Sequence, residues 1–197
     1  NQLLGLLENY TPSAIKLGLL SRNAIVILSD YLSTVSIPVI LDPVLASSSG
    51  YPFLDLSHLT PFLPYPALTT PNKTEAEVLS GLKIENTEDM KKAAYFLVKE
   101  KNMQSVLIKG GHLNKGAPDI FFNGELFKEF STSYIPLPYQ VRGTGCFLSS
   151  AITAHLAHGE GIESSIEKSK TLLEKSLKNA VLYGKDRNSI FDAIRSS

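Results

Sequence analysis

Short apolar runs alternate with segments of helical period along most of the chain, and this alternation predicts the fold. Ala14-Ile15-Lys16-Leu17-Gly18 reads as a buried strand, and residues 23–34 place Ala24, Ile27, Leu28 and Tyr31 on one side of a helix. Pro38-Val39-Ile40-Leu41-Asp42 is a β-branched strand ending in an acid, and Ala67-Leu68-Thr69 is a third strand closed by Pro71. A short helix follows over 74–79. Asn86 then caps a longer one, with Asp89 at the capping-box position and an apolar stripe of Met90, Ala93, Ala94, Leu97 and Val98. Ser105-Val106-Leu107-Ile108-Lys109 is a strand running into Gly110-Gly111. The β-α-β-α order predicts an α/β fold with a mostly parallel sheet covered by helices on both faces.

After Gly116 the pattern changes. Asp119-Ile120-Phe121-Phe122 and Glu125-Leu126-Phe127-Lys128 flank Asn123-Gly124, a dipeptide suited to a type I′ turn, which predicts an antiparallel edge hairpin. Two helices close the chain. One begins at the glycine-rich turn before Cys146, with Leu148, Ala151, Ile152 and His155 at i, i+3, i+4 and i+7; the other spans 162 to about 181.

Composition narrows the class. With 197 residues, 43% of them hydrophobic and 19% charged, the chain reads as a single globular domain over 1–197. Nineteen basic residues balance nineteen acidic ones, so neither nucleic acid nor an anionic membrane is expected as a partner. A single cysteine excludes an intrachain disulfide, and no apolar run reaches membrane-spanning length, so a cytoplasmic protein is expected. The chain opens at Asn1 and enters an apolar run (Leu3, Leu4, Leu6, Leu7) almost at once, which reads as the interior of a larger domain that is truncated at its N-terminus.

In sheets of this kind ligands sit beyond the carboxyl ends of the strands, and the unusual polar groups fall there. Gly143-Thr144-Gly145-Cys146 opens a helix whose unpaired N–H groups and dipole form an anion site. A cysteine in that field has a reason to lose its proton and act as a base, although a free cysteine also serves as a small buried hydrophobe. Asn72 and Glu75 lie three apart on the first turn of a helix, placed to order the water shell of Mg²⁺; taken alone, the pair is better read as an N-cap and its capping-box partner. Lys109 before Gly110-Gly111-His112 can neutralise a nucleotide phosphate or be a solvated lysine before a turn. Asp42 can bind Mg²⁺ or phosphates, or cap a turn. The run Ser47-Ser48-Ser49-Gly50 is a loop that can touch ligand, and His155 and His158 read as structural or solvent-facing.

As an ordered set these motifs resemble the ribokinase-like superfamily, with its three-layer α/β/α fold, and most closely its hydroxymethylpyrimidine/phosphomethylpyrimidine kinase branch from thiamine biosynthesis. The carriers are Ile15-Lys16-Leu17-Gly18-Leu19-Leu20, Leu41-Asp42-Pro43-Val44, Ser49-Gly50, Thr70-Pro71-Asn72 with Glu75-Ala76-Glu77, Lys109-Gly110-Gly111-His112, and Gly143-Thr144-Gly145-Cys146 with Leu148-Ser149-Ser150-Ala151. The resemblance implies ATP-dependent phosphorylation of 4-amino-5-hydroxymethyl-2-methylpyrimidine and of its monophosphate. It implies Cys146 as catalytic base, Gly143, Thr144 and Gly145 as anion hole, and Asn72 and Glu75 as the Mg²⁺-ordering pair. It further implies Asp42, Lys109 and Arg142 on the phosphate side, and Gly18 and Leu20 beside the pyrimidine.

The sequence departs from the branch in three places. Its Asp-Pro-Ser-Gly-Gly-Ala-Gly loop has no counterpart in this chain. Arg142 stands where the family usually has histidine, and 184–197 lacks the usual glycine-rich ending. A pyridoxal kinase of the same superfamily and a non-catalytic nucleotide-binding remnant are the alternatives, and a homodimer is plausible by analogy with relatives.

Overall fold

In the computed structural model, six strands lie side by side in the order in which the chain makes them. They are β1 (Ile15–Leu17), β2 (Val39–Leu41), β3 (Leu68–Thr69), β4 (Val106–Ile108), β5 (Asp119–Phe122) and β6 (Phe127–Phe130). β1 to β4 run parallel, β5 is antiparallel to β4, and β6 is antiparallel to β5. The helices are α1 (Arg22–Leu32), α2 (Leu56–Leu59), α3 (Lys73–Ser80), α4 (Thr87–Lys99), α5 (Thr144–Ala157) and α6 (Ile162–Lys178). A separate antiparallel pair, β7 (Val181–Tyr183) and β8 (Arg187–Ser189), follows. The structure describes residues 5, 7, 9–34, 36–45, 56–111, 118–132, 135, 141, 143–179, and the backbone of 181–183 and 187–189.

Strand periodicity sorts the apolar residues into two cores. Leu17, Val39, Leu41, Val106, Ile108, Ile120 and Phe122 pack with α1 to α4 on one face of the sheet. The residues between them, Ile40, Leu107 and Phe121, join Leu68 and Phe130 beneath Leu148, Ile152, Leu156 and Ile166 of α5 and α6. Every described strand residue of the central sheet from β2 to β5 is buried, as a sheet covered on both faces requires. This is the three-layer α/β/α arrangement that the alternation predicts.

Local chemistry sets the helix ends. Ser21 caps α1 by accepting the Ala24 N–H, and Asn72 and Glu75 form a complete capping box on α3, which Gly81 ends in the left-handed conformation at φ +73°. Asn86 caps α4 through the Asp89 N–H, but Asp89 reaches back to the Glu85 N–H, one residue earlier than a capping box requires. α4 buries Met90, Ala93, Ala94, Leu97 and Val98, the predicted stripe.

Three expectations need correction. The edge hairpin does not turn on two residues. Phe122 pairs with Phe127, so the loop is Asn123-Gly124-Glu125-Leu126. Gly124 takes φ +92° while Asn123 stays out of positive φ, and the Asn123 side chain accepts the N–H groups of Glu125 and Leu126. That Asx-type turn competes with the type I′ geometry and wins. On α5 the buried face is Leu148, Ser149, Ile152, Thr153 and Leu156, rotated away from Ala151 and His155. Ser149 and Thr153 tolerate burial because each finds an acceptor, described below. Finally, α6 ends at Lys178, short of the expected 181.

Candidate active site

Strand alternation also decides where the polar residues go. Ile40, Leu68 and Leu107 face α5, so Asp42, Thr70 and Lys109, each two residues further on, leave the carboxyl ends of β2, β3 and β4 on that same face. They meet. Lys109 Nζ lies 3.0 Å from Asp42 Oδ1, and the Thr70 hydroxyl lies 3.5 Å from the same oxygen. The other carboxylate oxygen, Oδ2, accepts the Ser149 hydroxyl from α5 at 3.3 Å. The ion pair is well shielded, with 14% of the lysine and 4% of the aspartate side chain exposed, so solvent screens it weakly.

Lys109 is fixed from behind. Its N–H donates to the Pro71 carbonyl at 2.9 Å, and it bridges to Asn72 in parallel register. The α3 cap therefore abuts the lysine. Asn72 Oδ1 accepts the Glu75 N–H at 2.9 Å, and Glu75 Oε2 accepts the Asn72 N–H at 2.7 Å. Burial pushes the Glu75 carboxyl up; the charge of Lys109 and the Asn72 N–H pull it down, and Asp42 adds a smaller push upward. Glu75 thus senses both members of the ion pair. The capping role of Asn72 and Glu75 is real, and the cap sits at the cluster.

Gly143 caps α5 at φ +82°, a conformation that favours glycine, and the helix starts at Thr144. Gly145 lets Lys109 in: a Cβ there would stand 3.0 Å from Nζ. Cys146 follows in the first turn, exposed as a residue but with its thiol partly buried toward Asp42. The sequence predicts a thiol with a lowered pKa, and the structure corrects this. Burial of the thiol and, next, the charge of Asp42 push it up, against smaller opposing pulls from Lys16 and Lys109. The helix N-terminus is present, yet burial and the anion brought from β2 raise the thiol.

Of the residues expected at the site, Asp42, Asn72, Glu75, Lys109, Gly145 and Cys146 converge, with Gly143 as the helix cap. Gly18 lies just past β1, whereas Leu20 packs against the α1–α4 core. Arg142, His112 and Ser47 to Gly50 lie outside the described residues. His155 bonds Glu160 at 3.0 Å and His158 ends α5, in keeping with structural or solvent-facing roles. Two participants stand inside the quoted motifs without an assigned role. Ser149 carries no signal beyond its place one turn after Cys146. Lys16 could have been found as a charge between two apolar strand residues, Ile15 and Leu17.

Comparison with known proteins identifies the family and agrees with the fold. The model of the phosphomethylpyrimidine kinase family matches residues 1–190. The hydroxymethylpyrimidine/phosphomethylpyrimidine kinase of Staphylococcus aureus (strain MSSA476) is 31% identical over 205 residues, covering 96% of this chain and 71% of its own. The chain belongs to the phosphomethylpyrimidine kinase family. It is accordingly a phosphotransferase of ribokinase-like fold. The solved phosphomethylpyrimidine kinase from Clostridium difficile 630 matches at TM-score 0.75 and 32% identity, covering 89% of this chain and 74% of that one. The pyridoxal kinase from Staphylococcus aureus, solved with ADP, matches at TM-score 0.84 and 28% identity, covering 95% and 70%. Among the described residues of this kinase no helix is long and apolar enough to cross a membrane.

Proposed function

We propose that this kinase transfers the γ-phosphoryl group of ATP to the hydroxymethyl oxygen of 4-amino-5-hydroxymethyl-2-methylpyrimidine and then to the resulting monophosphate. The observation that carries the reading is the meeting of the Asp42–Lys109 pair with the first turn of α5, where Cys146 and the amides after Gly143 stand together. In-line phosphoryl transfer needs little covalent chemistry from the protein. It needs the reactants aligned and the charge on the transferring group matched by fixed donors. Lys109 and the unpaired N–H groups of Thr144, Gly145 and Cys146 supply those donors. Cys146 is the base that accepts the hydroxyl proton as the new P–O bond forms, and ADP leaves with the electron pair of the broken bond.

Mg²⁺ fits the carboxylates present. Burial and, less strongly, Asp42 push Glu75 up against the pull of Lys109, and a second cation near both carboxylates would relieve what remains of that cost. Mg²⁺ bound there would neutralise phosphate charge, holding most of its water shell. Glu75→Gln is expected to raise the Mg²⁺ concentration for half-maximal rate about tenfold, and α3 is retained because an amide oxygen still caps the Asn72 N–H. Unchanged Mg²⁺ dependence would leave Glu75 with capping alone.

The pyridoxal kinase resemblance supports a second acceptor, since the higher of the two TM-scores is to that enzyme. Steady-state assays with ATP and each acceptor decide. The expected result is a kcat/KM at least about tenfold higher for the hydroxymethylpyrimidine, a margin of about 1.4 kcal/mol. Faster turnover of pyridoxal reverses the assignment, and turnover of neither rejects it.

A further inference from the structure

β1 sends a lysine into the site by the same device that β4 uses. Leu17 packs into the α1–α4 core, so Lys16 belongs to the opposite face, where its register partner Ile40 lies beneath α5. Gly18 comes two residues later, on the face of Lys16. Lys16 Nζ lies 3.0 Å from the position a Gly18 Cβ would take, so the side chain runs along the strand over the glycine toward its carboxyl end. α5 packs on β1 and β2 there, and Lys16 acts on the Cys146 thiol more strongly than Lys109 does. Each lysine thus enters over a glycine, Lys109 over Gly145 and Lys16 over Gly18.

The two differ in what answers their charge. Lys109 is held by Asp42 at 3.0 Å. Lys16 is half-buried and has no ion pair or hydrogen bond among the described residues. An ammonium that is half-buried and has no acid among the described residues keeps only part of its water shell, and an anionic ligand would supply acceptors for the rest. Lys109, tied to Asp42 and the α3 cap, serves the nucleotide side. Lys16 reaches the same thiol from a different strand, β1, at the strand end beside Gly18.

We propose that Lys16 binds the phosphate of a phosphorylated acceptor, and so determines whether this site extends a phosphomethyl group as well as a hydroxymethyl group. The assignment rests on the function proposed above. In the second transfer the nucleophile is a monoester oxygen that already carries charge. It forms the new P–O bond to the γ-phosphorus while the β–γ bridging bond breaks, and ADP takes the electron pair. Two phosphates approaching each other repel, and a cation on the acceptor side offsets that repulsion.

The test compares Lys16→Met and Lys16→Arg with the wild type, using hydroxymethylpyrimidine and its monophosphate as separate acceptors. In Lys16→Met, kcat/KM for the monophosphate is expected to fall at least about tenfold more than for the alcohol, the loss of one charge-assisted hydrogen bond. Lys16→Arg is expected to recover most of the difference. Equal losses on both acceptors, or none on either, overturn the assignment, with thermal melts confirming that the variants fold. Wild-type turnover of the alcohol reports on the proposed function independently. If the wild type turns over neither acceptor, calorimetric binding of the two compounds still reads Lys16: the monophosphate-selective loss supports it, and identical binding by wild type and Lys16→Met overturns it.

Discussion

Alanine at position 146 is expected to lower kcat by about 10²- to 10⁴-fold, the usual contribution of a positioned general base, while the Kd for ATP stays within about twofold. The two effects separate because of where the thiol stands. Cys146 is in the first turn of α5 and exposed as a residue, so truncation opens no cavity and leaves the backbone donors of that turn in place. Lys109 is held by Asp42 and Pro71, and both contacts remain when the thiol is removed. Single-turnover measurements with ATP in excess check the chemical step, and near-wild-type turnover would remove Cys146 from the base role. The pH dependence supplies a second readout. In the proposed role the base would be the thiolate, and burial together with Asp42 pushes the thiol pKa up, so the thiolate fraction at neutral pH is low and rises as pH increases. Asp42→Asn removes the anion and keeps the shape. It is expected to shift the alkylation profile of Cys146 with iodoacetamide to lower pH. A profile that does not move would mean that Asp42 contributes little to the thiol.

The fold was legible because it rests on local periodicity. Val39-Ile40-Leu41 and Val106-Leu107-Ile108 are apolar throughout, which marks strands covered on both faces, and the α4 stripe names its buried residues correctly. The motifs of the site were legible because each closes a strand or opens a helix. Their electrostatics were not. The thiol pKa depends on Asp42, 104 positions away in the sequence (146 − 42), and no local pattern reports that neighbour. The α5 face was misjudged for a related reason. Ser149 and Thr153 count as polar in any periodicity, yet Ser149 donates to Asp42 and Thr153 to the Ser149 carbonyl, so both are buried without an orphaned hydroxyl. The hairpin failed on competition between two turns that Asn123 can make, a choice of about the energy of one hydrogen bond.

Asp119→Ala is expected to cost about 3–5 kcal/mol of stability, the range for breaking a buried ion pair from one side. Asp119 begins β5 on the face of Phe121, toward α6, and its carboxylate has two tasks. Oδ2 meets Lys170 Nζ of α6 at 2.5 Å, and Oδ1 accepts the Gly110 N–H at 2.8 Å. Only 10% of the aspartate and 8% of the lysine side chain is exposed, so alanine leaves a buried ammonium and an orphaned backbone donor. The ammonium is the larger loss. Lys170→Met added to Asp119→Ala is therefore expected to restore more than half of the stability, since an apolar pair in place of an ion pair is often neutral. Urea unfolding followed by circular dichroism measures both, and a double variant no more stable than Asp119→Ala would place the cost in the Gly110 contact instead. That contact has a functional consequence. Gly110 follows Lys109 directly, so a freed Gly110 N–H loosens the backbone that aims the ammonium at Asp42. The double variant, refolded but still lacking the Gly110 acceptor, is expected to show a raised KM for ATP with its stability largely recovered. The buried pair thus fastens α6 to the sheet, and the same carboxylate holds the strand end from which Lys109 is presented.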